Sequence, residues 1–363
     1  MITNKLMMMG IIEEEATSGP NEDSIITASD SGESDRFGYS CALSANGTVL
    51  AVGAPYWDGA SSDQGAVYIY DWSGSAWVQR GPVITASDVG YQDYFGASCA
   101  LSDDGTVLAV GAYGWDGASS NQGAVYIYDW SGSAWAQRGS VITASDAGAN
   151  DYFGSSCALS DDGSVLAVGA NNWDGTYGYQ GAVYIYDWSG SAWAQRGSVI
   201  TASDAGAYDY FGRSCALSDD GSVLAVGAYS WDGAAGTDQG AVYIYDWSGS
   251  SWVQRGSVIT ASDAGASDSF GTSCALSDDG TVLAVGAVLW DGASNNQGAV
   301  YIYDWLGSAW VQRGSVITAS DAGESDYFGA SCALSDDGTV LAVGAYGWDD
   351  TYPDQGATYI IIL

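Results

Sequence analysis

Short apolar segments alternate with turn residues along the chain, and their order recurs. In one unit, Ser155 to Ser160 is followed by Asp-Asp-Gly, Ser164 to Ala170 by a longer loop, and Ala182 to Trp188 by Ser-Gly-Ser. Asp-Gly between apolar runs is a strong hairpin signal, because both residues tolerate the positive φ of a tight turn. A fourth segment, Trp193 to Ala202, completes the unit. Since no window shows apolar residues at helical spacing, each unit is predicted to be four antiparallel strands.

The unit repeats with a nearly constant period. Successive Phe-Gly steps are 58 residues apart, with one interval of 59, and begin at Phe37, Phe95, Phe153, Phe211, Phe270 and Phe328. A fixed period in this range indicates a solenoid, a propeller or another array of similar units.

The third strand of each unit is apolar or aromatic on both faces. Val183 and Ile185 point to one side of this strand, whereas Tyr184 and Tyr186 point to the other. A strand that is buried on both faces needs a neighbouring sheet on each side. Radial stacking of four-stranded sheets supplies both neighbours. The predicted fold is therefore all-β, a six-bladed β-propeller of four-stranded antiparallel blades.

The two ends of the chain are complementary. The unit that begins at Phe328 contains three strands up to Leu363, while residues 24–30 match the fourth-strand segment at residues 198–204. We therefore expect the N-terminal strand to complete the last blade and close the ring. Residues 1–22 lie outside the repeat and are predicted to be a leader or disordered tail before a single propeller domain, residues 23–363. Their apolar run, residues 6–12, resembles a truncated signal peptide.

Charge and composition exclude several classes of partner. The chain has 8 basic and 44 acidic residues, a net charge of −36. Like charge repels phosphate backbones and anionic lipids, so nucleic acid is not expected as a partner. No stretch approaches the about 18 apolar residues of a membrane span. The cysteines occupy one repeat position on the innermost strand, and we predict them to be buried and unpaired: Cys41, Cys99, Cys157, Cys215, Cys274 and Cys332.

Three recurring motifs carry a family resemblance. They are Phe-Gly-x-Ser-Cys-Ala-Leu-Ser, Val-Leu-Ala-Val-Gly-Ala and Gly-Ala-Val-Tyr-Ile-Tyr, and over residues 24–363 the chain resembles the FG-GAP repeat family. Integrin α-subunit head propellers belong to this family, so the resemblance implies a propeller with an interaction or adhesion role. Integrin-type repeats hold calcium in an Asp-rich loop between the first two strands. Here a tight turn, such as residues 103–105, takes that place and cannot supply six to eight oxygen ligands.

One face of the predicted ring collects candidate binding residues. The loop after the second strand and the linker to the next unit emerge on this face. Tryptophan and aspartate in the loops suit a protein ligand or stacking on sugar rings; the candidates are Trp57, Asp58, Trp115, Asp116, Trp173, Asp174, Trp231, Asp232, Trp290, Asp291, Trp348 and Asp349. The linker carboxylates suit calcium; the candidates are Asp88, Asp93, Asp146, Asp151, Asp204, Asp209, Asp263, Asp268, Asp321 and Asp326.

A structural interpretation of the same residues is the alternative. The aspartates would then accept hydrogen bonds from backbone N–H groups of their own turns, and the tryptophans would cover the blade edges. The arginines of the outermost strand are expected to pair with neighbouring aspartates; they are Arg80, Arg138, Arg196, Arg255 and Arg313.

The sequence predicts a binding protein rather than an enzyme. It has no histidine, Lys5 is its only lysine, and the candidate acids and nucleophiles recur in near-identical copies. Acid–base catalysis needs groups whose environments differ. We expect a monomeric, non-enzymatic propeller for adhesion or protein–protein recognition, extracellular or at the cell surface, with an intracellular location as the alternative. The alternative function is a multivalent, lectin-like propeller whose six weak sugar sites act together. No cofactor is certain, and calcium is the candidate ion.

Overall fold

The protein is a ring of six antiparallel β-sheets. A computed structural model describes residues 26–28, 30, 32, 34–88, 90–349 and 356–363. Five sheets have four strands and one has three, each with its strands in chain order. This confirms the predicted six-bladed propeller, while the predicted leader lies outside the described residues. Within those residues no helix is long and apolar enough to cross a membrane.

The strands are short and their bounds repeat from blade to blade. Blades 1 to 6 consist of β1 (Ser40–Leu43), β2 (Val49–Ala54), β3 (Ala66–Trp72) and β4 (Trp77–Gln79); β5 (Ser98–Leu101), β6 (Val107–Ala112), β7 (Ala124–Trp130) and β8 (Trp135–Gln137); β9 (Phe153–Leu159), β10 (Val165–Ala170), β11 (Ala182–Trp188) and β12 (Trp193–Gln195); β13 (Ser214–Leu217), β14 (Val223–Ala228), β15 (Ala241–Trp247) and β16 (Trp252–Gln254); β17 (Phe270–Leu276), β18 (Val282–Ala287), β19 (Ala299–Trp305) and β20 (Trp310–Gln312); β21 (Phe328–Leu334), β22 (Val340–Ala345) and β23 (Ala357–Ile362).

The Asp-Asp-Gly turns form the predicted hairpins. Gly163 has a φ of 63°, in the left-handed region that glycine tolerates best. The second aspartate of the turn, Asp162, accepts hydrogen bonds from the Ser160 hydroxyl and the Ser164 backbone N–H, both at 2.9 Å. These contacts fix the register in which Leu166 faces Leu159 across the hairpin.

Each of blades 2 to 5 is buried between its two neighbours, as the two-sided apolar pattern predicts. Val183 and Ile185 belong to one hydrophobic cluster with Tyr243 of the next blade. Tyr184 and Tyr186 belong to another cluster, shared with the preceding blade. The core is therefore a series of layers between blades, and the sheet of each of blades 2 to 5 contributes to two layers.

Glycine permits the close approach of neighbouring blades near the ring axis. A Cβ atom added at Gly111 of blade 2 would lie 2.1 Å from the carbonyl oxygen of Gly154 in blade 3. That oxygen accepts a hydrogen bond of 2.8 Å from the Ser98 hydroxyl. The same serine-to-glycine bond recurs at each junction from blade 1–2 to blade 5–6.

The outer-strand arginines fasten neighbouring blades, which confirms their predicted pairing with aspartate. Arg196 pairs with Asp187 of its own blade at 2.7 Å. It also donates to the carbonyl of Gly221 in the next blade at 2.9 Å and lies 5.3 Å from the ring centroid of Trp247. The other four arginines make the same Asp pair.

The junction between blades 6 and 1 differs from the other five. There, the parallel bridge that joins Gly65 to Phe95 and recurs at the next four junctions has no equivalent among the described residues. Ile26 and Ala28 pack on blade 1, and Tyr68 donates to Asp30 at 2.8 Å. Ile360 on β23 is 39% exposed, against 1% for the equivalent Ile69. Because residues 24, 25 and 29 lie outside the described part, completion of blade 6 by this strand stays a prediction.

Candidate functional site

The ring has two faces and an axial channel. We call the face with the Trp-Asp-Gly loops and the interblade linkers the upper face, and the face with the Asp-Asp-Gly turns the lower face. The first strand of every blade lines the channel between them. All the residues predicted for ligand or metal binding lie on the upper face, as expected from strand direction.

The tryptophans of the Trp-Asp-Gly loops are half-buried and packed within their own loops. A Cβ atom at Gly117 would lie 2.3 Å from the ring of Trp115, so the indole covers its own backbone. Its Nε1 donates to Asp88 of the adjacent linker at 3.2 Å. The same close packing is found at Trp57, Trp173, Trp231 and Trp290. One indole face is therefore committed to the fold.

The exposed aspartates of these loops cap backbone N–H groups. Asp116 accepts from the N–H of Asn121 at 2.7 Å. Asp58, Asp174, Asp232 and Asp291 accept in the same way at 2.6–2.8 Å. This geometry gives each of them a structural role, whether or not it also binds a ligand.

The linker aspartates predicted for calcium already hold hydrogen-bond donors. Asp88 accepts from the Tyr126 hydroxyl at 2.7 Å, and the buried Asp93 accepts from the Gly90 N–H at 2.5 Å. Burial raises the pKa of Asp93 to about 6. The tyrosine bond recurs at Asp146, Asp204, Asp263 and Asp321, and the glycine bond at Asp151, Asp209, Asp268 and Asp326. Calcium binding at these positions stays a prediction.

Carboxylates converge at the lower end of the channel instead. Oxygen atoms of Asp103, Asp161 and Asp219 lie within 4.8 Å of one another, the one such trio among the described residues. Each of these residues donates its backbone N–H to the corresponding aspartate carbonyl of the next blade at 2.9–3.0 Å. Burial and the shared hydrogen bonds with Asp161 and Asp278 raise the pKa of Asp219. The lower mouth is therefore acidic, which follows from the ring and not from spacing along the chain.

The channel itself contains a cavity of about 720 Å³ lined by the first strands of all six blades. Its wall includes cysteine thiols, and all six cysteines are free; five are buried and Cys41 is half-buried. Burial raises the pKa of Cys157 to about 11 and that of Cys215 to about 12, so these thiols are neutral at physiological pH. The prediction of unpaired cysteines is confirmed.

Tyrosine rings form much of the upper rim of the channel. From blade 1 to blade 3 they make a continuous row, with centroid distances of 6.4, 5.1, 5.0 and 5.3 Å between successive rings of Tyr39, Tyr56, Tyr94, Tyr113 and Tyr152. Further pairs lie at Tyr210–Tyr229 and Tyr327–Tyr346, with separations of 5.3 and 4.7 Å. This aromatic rim was missed at the level of sequence.

Two arginines stand at the same rim. Arg36 lies 4.3 Å above the ring centroid of Tyr56, and Arg213 is exposed on the opposite side of the cavity lining. Both residues depart from the repeat, because Arg36 stands where four other units have tyrosine and Arg213 where others have tyrosine, alanine, serine or threonine. Departures from an otherwise constant repeat were the signal that could have identified them.

Comparisons with known proteins agree with this architecture. The sequence model of the FG-GAP repeat matches residues 20–70, 77–128, 135–186, 193–245, 252–303 and 310–361. Among solved structures, the chain is similar to Kuenenia stuttgartiensis hydrazine synthase, with a TM-score of 0.54 and 16% identity over 88% of this chain and 78% of that chain. Likeness at that identity shows the fold alone. No curated protein matches the sequence.

Proposed function

This chain belongs to the FG-GAP repeat family, and from that premise we propose that it binds a protein ligand through the upper rim of its channel. The propeller is a binding scaffold. Adhesion or recognition outside the cell or at its surface is the specific role that we propose for it. This proposal rests on the location of the positions at which the six repeats differ from one another.

The repeats are constant in the blade walls and variable at the rim. All six second strands have the sequence Val-Leu-Ala-Val-Gly-Ala. By contrast, the position before Phe-Gly is occupied in turn by Arg36, Tyr94, Tyr152, Tyr210, Ser269 and Tyr327. The rim is therefore asymmetric, and an asymmetric aromatic surface suits one protein ligand better than six identical small ones.

The lectin-like alternative depends on the Trp-Asp-Gly loops, and their geometry favours it less. A sugar ring stacks on an open aromatic face. In these loops the indole of Trp115 packs against Gly117 of its own loop, and the neighbouring carboxylate, Asp116, caps the Asn121 N–H. The six repeated loops thus support the blades, whereas Tyr39 and Tyr346 of the variable rim are 46% and 60% exposed.

A non-catalytic role is part of the same proposal. The titratable groups along the cavity are tyrosines, cysteines and arginines, such as Tyr229, Cys215 and Arg213. Burial keeps thiols such as Cys215 protonated at physiological pH. A cationic guanidinium and neutral thiols lack the pair of exchanging acid and base that general catalysis needs.

The test is binding of the full chain to a protein array and a glycan array, each with and without calcium. The rim variants Tyr113→Asn and Tyr229→Asn carry the residue found at the same position in blade 3, Asn171, so the fold should tolerate them. Val78→Ala, on the outer strand, is the matched control, since blade 2 has Ala136 there. We expect protein ligands that the rim variants lose and the control keeps. Ligands found only on the glycan array would contradict the proposal.

A further inference from the structure

Resting on the proposed function, we propose that the upper end of the channel is a carboxylate pocket, in which Arg36 and Arg213 hold an acidic group of a peptide ligand. Blades 1 and 4 carry the two arginines, and blades three steps apart in a ring of six lie opposite each other. The guanidinium groups therefore approach the channel from opposite sides.

Arg213 is the cation that the fold does not use. Five of the seven arginines pair with an aspartate of their own blade. Arg213 makes no ion pair with any residue that the structure describes, and its backbone N–H alone is bonded, to the carbonyl of Tyr210. A guanidinium presents a planar fork of donors that matches a carboxylate. Its place on the cavity wall leaves those donors for a ligand.

The cavity wall is positive although the whole chain is strongly negative. The described residues that line it include both arginines and no aspartate or glutamate. The net charge of −36 acts from farther away, and at physiological ionic strength such interactions are screened beyond about 8 Å. Close to the arginines, their own positive charges therefore determine the electrostatic potential. The acidic trio at the lower mouth, Asp103, Asp161 and Asp219, opposes passage of an anion through the channel, so the carboxylate stays at the upper end.

The remaining wall favours a peptide over an acidic sugar. Blade 5 contributes Val288 and Leu289, and blade 6 contributes Ala330, which offer no side-chain hydrogen bonds. The wall also contains serine hydroxyls, and five of them already donate to a glycine carbonyl of the next blade. Tyr39 and Tyr346 stand exposed at the mouth. The pocket therefore combines two central guanidinium groups with apolar and aromatic side chains around them. A peptide whose carboxylate is flanked by apolar or aromatic side chains matches this combination.

The pocket can be tested by isothermal titration calorimetry of the full chain at fixed ionic strength. The first probe is acetyl-Gly-Phe-Glu-Phe-Gly-amide, with its Gln counterpart as the neutral match. A second pair, acetyl-Gly-Gly-Phe as free acid and as amide, distinguishes a C-terminal from a side-chain carboxylate. Digalacturonate is the acidic-sugar probe. We expect one of the peptide acids to bind at least about tenfold more tightly than its neutral match, as charge-assisted hydrogen bonds require.

Variants taken from the repeat itself keep the fold and remove the charge. Arg213→Ser and Arg36→Tyr carry the residues of Ser155 and Tyr94 at the same repeat positions, and each should weaken binding of the peptide acid at least about tenfold. Ser75→Asp on the exposed lower-face turn makes the same change in net charge and should leave binding unchanged. Adding Ala330→Arg to Arg213→Ser returns a guanidinium to the rim and should recover part of the affinity.

Equal binding of the acid and its neutral match, or unchanged affinity in both arginine variants, would overturn the pocket. Tighter binding of digalacturonate than of either peptide acid would overturn the peptide class. The two proposals fail separately. If the tyrosine variants lose a protein ligand that Arg213→Ser keeps, recognition at the rim stands and the carboxylate pocket is wrong.

Discussion

At the scale of single residues, aspartate is used in two opposite electrostatic settings. In the lower turns, hydrogen bonds from Ser102 and Thr106 lower the pKa of Asp104 despite partial burial. In the upper linkers, burial of Asp93 outweighs the hydrogen bond from Gly90 and raises its pKa to about 6. The same residue type therefore stabilises the fold when ionised at one position and when protonated at the other.

This contrast predicts opposite pH dependences for two Asp→Asn variants. The pKa of Asp93 is about 6 in the fold against the ordinary aspartate value of 3.8, so its contribution to stability is full below about pH 4 and is lost as pH rises through 6. An asparagine side chain at the same position cannot titrate. The free energy of unfolding of Asp93→Asn minus that of the wild type should therefore rise between pH 4 and pH 7, by about 2–3 kcal/mol at roughly 1.4 kcal/mol per pKa unit.

Urea unfolding at several pH values measures that difference. Asp104→Asn is the control of opposite sign, because a lowered pKa means stability lost as pH falls, so its difference from the wild type should decrease as pH rises through about 4. A flat difference for Asp93→Asn would show that this carboxylate is not desolvated in the folded protein.

At the scale of the blade, sheet packing near the axis depends on glycine in the second strand. Gly111 and Gly344 occupy the same repeat position, and each lies close to the serine hydroxyl opposite it. The two glycines differ in their contacts with the next blade. A Cβ at Gly111 would also lie 2.1 Å from the Gly154 carbonyl oxygen of blade 3, whereas the nearest atoms to a Cβ at Gly344 all belong to Ser331 of the same blade.

Replacing each glycine by alanine should therefore have unequal effects. Gly111→Ala forces blades 2 and 3 apart, because backbone cannot move aside as a rotating hydroxyl can, and should cost at least about 2 kcal/mol of unfolding free energy. Gly344→Ala should cost less than about 1 kcal/mol, since Ser331 can change rotamer. Thermal and urea melts of the two variants make the comparison. Equal costs would show that the sixth junction packs as tightly as the others in solution.

At the scale of the whole molecule, both junctions that involve blade 6 differ from the other four. At the junction between blades 5 and 6, the side chain of Arg313, which follows the fourth strand of blade 5, is 36% exposed, against 13% for Arg80 at the junction between blades 1 and 2. At the four earlier junctions the arginine lies over a tryptophan ring of the next blade. In blade 6 that repeat position is Leu363, so Arg313 has no ring for a cation–π contact there. At the junction between blades 6 and 1, the N-terminal segment packs on blade 1 through Ile26 and Ala28 and is placed to join the two blades.

Deleting residues 1–30 should therefore lower the melting temperature and the cooperativity of unfolding. The deletion removes the buried Ala28, the half-buried Ile26 and the Asp30 acceptor of Tyr68. Burial of a side chain such as isoleucine is worth about 2 kcal/mol, and an uncovered sheet edge promotes association. Calorimetry and light scattering measure both effects. Deletion of residues 1–22 is the control and should leave the transition unchanged, while an unchanged transition in the longer deletion would contradict closure by this strand.

The sequence by itself determined the strands, the turns and the propeller. Alternation of apolar residues and Asp-Gly turns acts over a few neighbouring residues, and faithful repetition extends that local signal to the whole ring. It also placed Trp115 and Asp116 on the upper face. In the structure Trp115 packs on its own loop and Asp116 accepts a hydrogen bond within that loop, as the structural interpretation expects, but sequence alone could not choose between the two interpretations.

Only the tertiary structure brought the carboxylates of Asp103, Asp161 and Asp219 together and set Arg36 opposite Arg213 around one channel. In the sequence these residues lie in separate units, and nothing in one unit specifies where the corresponding position of another unit falls. Distances across the ring depend on how the layers between blades pack, which is a property of all the blades together. The physical reason is that short-range patterning fixes each sheet, whereas a site on the axis exists only after six sheets have been arranged around it.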